Sequence, residues 1–314
     1  STLQLHGLPH PGRLANIIAV LKAVRDRRPR PARDEKVLTA WNGLLVDSLV
    51  RAGVVFGQPE RLDLARACGQ YLWRNHWDEQ RRTLARSSLA TEEGISLGPD
   101  GVCSDYASAA LGFLALAQLG DAVWLQRAVT LLDRALELFG ADDGGFYETA
   151  VGGDVLFERT KRLSDEELPS ATSIMEIALR AAARLAGRPD LEDRADRAAR
   201  ALRPVLAQAP QLSGWGLASL LARSEADRGW GPAEIVIVGA AADPTSPLVK
   251  AAWRLAPWGS IVVDGPQETE GFGELFTGRA QLDGEPAAYV CRGQTCQLPV
   301  SDWSQLRALL WETD

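Results

Sequence analysis

The chain has 314 residues, 46 % of them hydrophobic and 24 % charged, with a formal net charge of −7 and an isoelectric point near 5.2. A chain of this size buries a sizeable core without disulfides or metals, and its acidity argues against nucleic acid or an anionic membrane as the main partner. It has no apolar run of the ~20 residues a membrane helix needs and no signal-like opening, and its four cysteines (Cys68, Cys103, Cys291, Cys296) read as thiols of a reducing, cytoplasmic compartment.

Residues 1–9 read as a short extended lead, closed by Pro9 and Pro11. Apolar Leu14, Ile17, Ile18 and Leu21 predict a helix over about 13–24, and an Arg-rich stretch with Pro29 and Pro31 breaks it as a solvated linker. The run from Asp34 to Gly43 then sets two acids, a lysine, an indole and an amide where a long apolar helix begins, over about 37–56. A second helix follows Pro59 and ends near Trp77. Residues 78–101 form a polar loop in which 83–90 makes a hairpin. Further helices are expected over 104–119, 121–140, 169–187, 190–206 and 213–226. The loop 141–168 carries Gly144-Gly145-Phe146-Tyr147-Glu148.

Trp41, Tyr106 and Thr172 recur at about 65-residue spacing, each near the start of the first helix of a pair. A helical hairpin cannot bury both faces alone, so neighbouring hairpins must stack. The first helix of each pair is apolar on most sides and the second is charged, which predicts an inner and an outer ring. The fold class is therefore mainly α, a partial α/α toroid over residues 1–230. Beyond it the period changes. Strands at 234–239, 260–264 and 287–291, a helix at 247–255 and another at 302–311 predict a small α/β module over 231–314, packed on or inserted in the helical body.

Long loops beside helix starts are where sites are built. Glu35, Asp105 and Glu148 are the candidate acid/base carboxylates, with Glu167 nearby. Two of these would serve glycoside hydrolysis if they lay ~5–9.5 Å apart. Trp41, Tyr106 and Tyr147 could stack on a sugar ring, and Asp34, Lys36, Asn42, Arg159, Lys161, Ser170 and Thr172 could orient it. Each also has an ordinary explanation as a cap, a core aromatic or a loop anchor. None of His6, His10 and His76 lies at a predicted inner-helix start, which disfavours a histidine-based epimerase. Cys291 and Cys296, with no second Cys or His pair nearby, read as structural thiols, with a redox pair as the alternative, rather than as zinc ligands. No metal and no cofactor is expected.

The run Asp34–Gly43 resembles a motif of the spermatogenesis-associated, thioredoxin-domain-containing proteins, as do Asp105-Tyr106-Ala107, Gly144-Gly145-Phe146-Tyr147, Pro169-Ser170-Ala171-Thr172-Ser173, the stretch Tyr289 to Cys296, Pro299-Val300 and Asp302. The resemblance covers nearly the whole chain. It departs where the family has a second Asp in place of Glu35 and tends to have Asn in place of Thr172. It implies an N-terminal thioredoxin-like domain followed by a six-hairpin toroid akin to N-acylglucosamine 2-epimerases and several glycosidases. This chain corresponds to the C-terminal part, without the thioredoxin-like domain or the first toroid helices. The expected partners are thus a second polypeptide or fragment carrying those elements, and a sugar-like small molecule. The expected function is that of a carbohydrate-binding toroid, acting as a sugar isomerase/epimerase or a glycoside hydrolase. The alternative is a non-catalytic interaction or scaffold module for a thioredoxin-like domain or partner chain.

Overall fold

Proline at the first helical position has its φ already set for a helix and lacks a donor that would go unused. Pro11 opens α1 (Pro11–Asp26) in this way. The computed structural model describes residues 4, 7, 10–153, 157–226, 231–240, 243, 246–293 and 295–311; His6 lies outside them. Residues 1–36 form one unit and residues 37–314 another. In the first unit no residue of α1 is buried, and the segment that follows is held by local ion pairs, Arg30 with Asp26, Arg33 with Glu35 and Lys36 with Asp34.

The second unit begins with β1 (Val37–Leu38) and α2 (Thr39–Phe56), which Gly57 ends in the left-handed conformation at φ 63°. Pro59 opens α3 (Pro59–Asn75). The strands β2 (Trp77–Asp78), β3 (Thr83–Leu84), β4 (Ser87–Thr91) and β5 (Gly94–Leu97) follow. The single hairpin expected over 83–90 is instead divided: β3 pairs back to β2, whereas β4 lies between β1 and β5.

Two more hairpins follow, α4 (Cys103–Ala117) with α5 (Ala122–Phe139) and α6 (Ala171–Ala186) with α7 (Pro189–Ala201). The expected helix over 190–206 breaks at Leu202, and Pro204 lies in the first turn of α8 (Arg203–Gln208). The last helix of the body is α9 (Gly214–Ala226).

Burial separates the layers. Every residue of α4 but Ser104 is buried, whereas α7 buries only the stripe Leu191, Ala195 and Ala198 at helical spacing. Helices α2, α4, α6 and α9 pack in sequence as the inner layer, with α3, α5 and α7 on the outside. The inner layer is tight because two glycines meet. A Cβ on Gly43 would lie 2.4 Å from the Ser108 backbone, and one on Gly112 would lie 2.5 Å from the Gly43 carbonyl. The molecule is a mainly α protein, a partial α/α toroid built of hairpins.

Near the C-terminus, β6 (Glu234–Val238), α10 (Pro247–Leu255) and β7 (Ile261–Gly265) form a β-α-β unit with parallel strands. β8 (Ala287–Arg292) pairs antiparallel to β6, β9 (Thr295–Cys296) extends the sheet, and α11 (Trp303–Trp311) closes the described chain. This module rests on the carboxyl ends of the inner helices. The Gln118 side chain accepts the Val262 N–H at 2.9 Å, and the Arg254 guanidinium donates to the Val55 carbonyl at 2.6 Å. Cys291 and Cys296 face each other across β8 and β9 and form a disulfide. This decides between the two readings, replacing structural thiols by a bonded pair: the antiparallel register puts the two residues opposite each other. Among the described residues no helix is long and apolar enough to cross a membrane.

Candidate functional site

The first backbone N–H groups of a helix need acceptors from outside it. At α2 these come from distant segments. The Thr39 N–H donates to the Arg86 carbonyl at 3.0 Å, and the Ala40 N–H donates to Asp105 Oδ1 at 3.1 Å. The other oxygen of Asp105 accepts the Val102 N–H at 2.9 Å and lies 3.5 Å from Arg86 Nη1. One carboxylate therefore ties together the starts of α2 and α4. Ser170 caps α6, accepting the Ser173 N–H at 3.2 Å, and is itself anchored by Asp165.

These three helix starts surround a cavity of about 340 Å³. Trp41 enters from α2, Ser104 from α4, and Ser170 and Ala171 from α6. Glu148, Arg86, Arg162, Glu166 and Glu167 come from the intervening loops. The Trp41 indole is 60 % exposed, a flat apolar face left open beside charged groups.

Glu148 is the chemically distinctive residue here. Its backbone is pinned at both ends: its N–H donates to the Thr160 carbonyl at 2.8 Å, and its carbonyl accepts the Cys103 N–H at 3.0 Å. Its carboxyl oxygen Oε1 is buried and has no hydrogen-bond partner among the described residues. Burial raises its pKa above the usual carboxylate value, and the charge of Arg162, a hydrogen bond from the Arg162 backbone N–H and the charge of Arg86 only partly oppose the shift. Burial also pushes Asp105 up, to about 6, against its backbone donors and Arg86.

Of the residues expected from sequence, Trp41, Glu148, Glu167 and Ser170 line the cavity. Asp105 does not; it stands behind the cavity with both oxygens taken up by backbone N–H groups. That makes it a positioning residue rather than an acid/base group. Tyr106 is buried in the core, where its hydroxyl accepts the Leu84 N–H at 2.8 Å and its ring meets Phe139. Thr172 is buried and accepts the Phe146 N–H. Asn42 Nδ2 donates to the Leu38 carbonyl at 2.8 Å, and its Oδ1 accepts the Cys68 thiol.

Tyr147, Arg159 and Lys161 form a loop lock instead of a ligand wall. Arg159 lies 4.1 Å from the Tyr147 ring centre and donates to the Thr149 and Leu138 carbonyls, and Lys161 pairs with Asp143. Asp34, Glu35 and Lys36 lie in the first unit. There Glu35 is engaged by Arg33 and Asp34 by Lys36, so neither acid is a free carboxylate.

His76 corrects the expectation that no histidine reaches an inner-helix start: its Nδ1 lies 2.6 Å from Thr39 Oγ1, at the first residue of α2. Because Thr39 donates to the Ala85 carbonyl at 2.5 Å, its oxygen must accept from His76, which places the ring proton on Nδ1. Nε2 then accepts from Ser88, whose oxygen takes the Tyr71 hydroxyl proton. Burial lowers this histidine's pKa to about 4, so it is a neutral structural link with both nitrogens engaged.

Sequence reasoning missed Arg86, Arg162 and Glu166. They sit in irregular loops, where no periodicity marks which side chain turns inward. Among the described residues no group of three or more His, Cys, Asp or Glu could hold a metal ion.

Stacked helical hairpins with a carboxylate-bearing cavity at their shared amino ends define the class, a mainly α protein of layered hairpins. Over 299 residues, 91 % of its length, the chain is 27 % identical to the protein named "Spermatogenesis-associated protein 20" of Homo sapiens. It is 27 % identical over 302 residues to the protein of the same name from Rattus norvegicus. The chain spans 37 % of the length of these relatives. No protein-family model matches it. Among solved structures it is similar to a family 105 glycoside hydrolase of C. acetobutylicum, at TM-score 0.45 and 11 % identity over 63 % of this chain and 58 % of that one. It is also similar to an unsaturated glucuronyl hydrolase of Bacillus sp. GL1, at TM-score 0.44 and 21 % identity over 55 % and 48 %.

Proposed function

We propose that the cavity at the amino ends of α2, α4 and α6 binds a sugar-like molecule, and that Glu148 exchanges a proton with it in isomerase/epimerase or glycoside-hydrolase chemistry. The observation that carries this reading is the Glu148 carboxyl: its residue lines the cavity, its backbone is anchored, its pKa is raised and its buried Oε1 has no hydrogen-bond partner among the described residues. A carboxyl whose pKa burial raises holds a proton more readily than a solvated one and is better suited to general acid/base work. Trp41 offers a stacking face, Arg86 and Arg162 orient hydroxyl or carboxyl groups, and Glu166 or Glu167 would be the second carboxylate. A screen of mono- and disaccharides, including uronic acids, by thermal shift tests the reading. A saccharide should raise the Tm of the wild type, less so for Trp41→Ala, and should bind but not turn over with Glu148→Gln. A blank screen, or binding that neither variant changes, sinks it.

A second reading, an interaction module for a thioredoxin-like domain or for a chain carrying further toroid helices, is supported by α1. That helix buries no residue and exposes Ile17, Ile18, Val20, Leu21 and Val24, an apolar set suited to a partner. It predicts capture of a thioredoxin-like domain that Ile18→Lys abolishes. Capture that survives this change, or no capture by the unaltered chain, removes the support.

A further inference from the structure

A second cavity, of about 260 Å³, lies where the module meets the helices. It is lined by the later turns of α2 and α4, by α6 and α9, and by the segment from Trp253 to Val262. Arg51 on its wall is ten residues beyond Trp41 on α2, about 15 Å along the helix axis. This places the cavity well away from the amino-end site.

Three indoles line it, Trp215, Trp253 and Trp258, with Trp215 edge-on to Trp258 at 6.4 Å. Most polar groups of the wall are already committed. Glu176, fully buried, accepts from Arg180 through one oxygen and from Ser219 through the other. Arg180 also pairs with Glu192 and Asp196, and Arg223 pairs with Asp196. Gln118 accepts from Val262 and donates to the Leu114 carbonyl, and Ser260 accepts the Ala233 N–H.

Two donors stand apart. Trp253 Nε1 is buried with no hydrogen-bond partner among the described residues. Arg51 donates through Nε to both oxygens of Asp47 at 3.0 Å and lies 5.9 Å from the Trp253 ring centre. Among the described residues its terminal nitrogens make no hydrogen bond.

A polyol would need many free donors and acceptors, and this wall keeps almost none. What it offers is flat aromatic faces, one N–H without an acceptor and, beside the paired Arg180 and Arg223, the Arg51 guanidinium, which meets Asp47 only through Nε and leaves its terminal nitrogens open. The volume lies just below the ~300–1,000 Å³ of typical ligand pockets, which favours one fused ring over an oligosaccharide. We infer that this seam is a binding site for a small planar aromatic carboxylate, its ring among the indoles and its carboxylate shared by Trp253 Nε1–H and Arg51. A buried indole N–H ordinarily has an acceptor, and the ligand supplies it.

Naphthoate and indole-3-acetate serve as probes, with glucuronate as the non-aromatic acid and naphthalene methanol as the uncharged ring. Binding is read by tryptophan fluorescence and calorimetry on the full chain. The aromatic acids should bind saturably, and glucuronate and the alcohol at least roughly tenfold more weakly. Trp253→Phe, which keeps the ring and removes the N–H, and Arg51→Gln should each weaken naphthoate roughly tenfold. Trp41→Ala, in the other cavity, should leave it unchanged. No saturable binding of the aromatic acids, equal binding of glucuronate, indifference to both seam variants, or loss on Trp41→Ala each overturns the assignment.

Discussion

The neutral His76 at the foot of α2 makes this fold sensitive to mild acid in a way that can be measured. In the unfolded chain the ring titrates near 6.5, whereas burial lowers it to about 4 in the folded protein. The folded state therefore binds fewer protons between those values. The stability due to neutral His76 is present above pH 6.5 and is lost as pH falls toward 4. Between pH 7 and pH 5 the loss is at most about 2 kcal/mol for a side chain only 1 % exposed. Asp105 acts in the opposite sense. Its folded pKa is raised to about 6, so protonating it below that value is stabilising, and the two effects mask each other in the wild type. The difference between wild type and His76→Gln separates them, because Asp105 is common to both. Urea unfolding at the two pH values should show His76→Gln destabilised at pH 7, with that penalty shrinking by about 2 kcal/mol at pH 5. A penalty that does not change with pH would refute the neutral buried ring.

Glu148→Gln should be neutral or stabilising at pH 7, because it removes a buried carboxyl whose Oε1 lacks a partner. Since burial raises the folded pKa, that gain should fade as pH falls from the raised value toward the ordinary carboxylate value and be gone below it. A loss of more than about 2 kcal/mol in urea unfolding would instead make Glu148 a structural residue. Gly43→Ala, a change that ordinarily favours a helix by up to ~1 kcal/mol, should here cost at least about 2 kcal/mol, because its methyl would lie 2.4 Å from the Ser108 backbone; a gain in Tm would show that α2 and α4 are not in contact there. Cys291 and Cys296 should resist alkylation until a dithiol reductant is added, as mass spectrometry can show.

The helices and strands were legible because the signals that place them are local. Gly57 and Gly187 adopt left-handed conformations that end α2 and α6, and Pro59 and Pro189 open the helices that follow. Alternation between apolar and charged helices gave the two layers, since burial acts on each helix face separately. The meeting of Trp41, Ser104 and Ser170 at one cavity followed from the repeat itself, since equivalent helix starts lie on the same rim of a stack.

Side-chain roles were a different matter. Asp105 looked like a free carboxylate but lies between two backbone N–H groups, one of them 65 positions away. His76 seemed remote from the helix starts until the β2–β3 hairpin carried it to Thr39. Arg86 and Arg162 were ordinary loop charges, and the indoles of the seam came from α9, from α10 and from the loop after it. A residue's dihedral preferences and helical phase are set by its neighbours in the chain, so sequence alone determined the elements and their layering. Desolvation and hydrogen-bond partners depend on segments that meet only after folding, and only the tertiary structure decided which acids, rings and cations share a cavity.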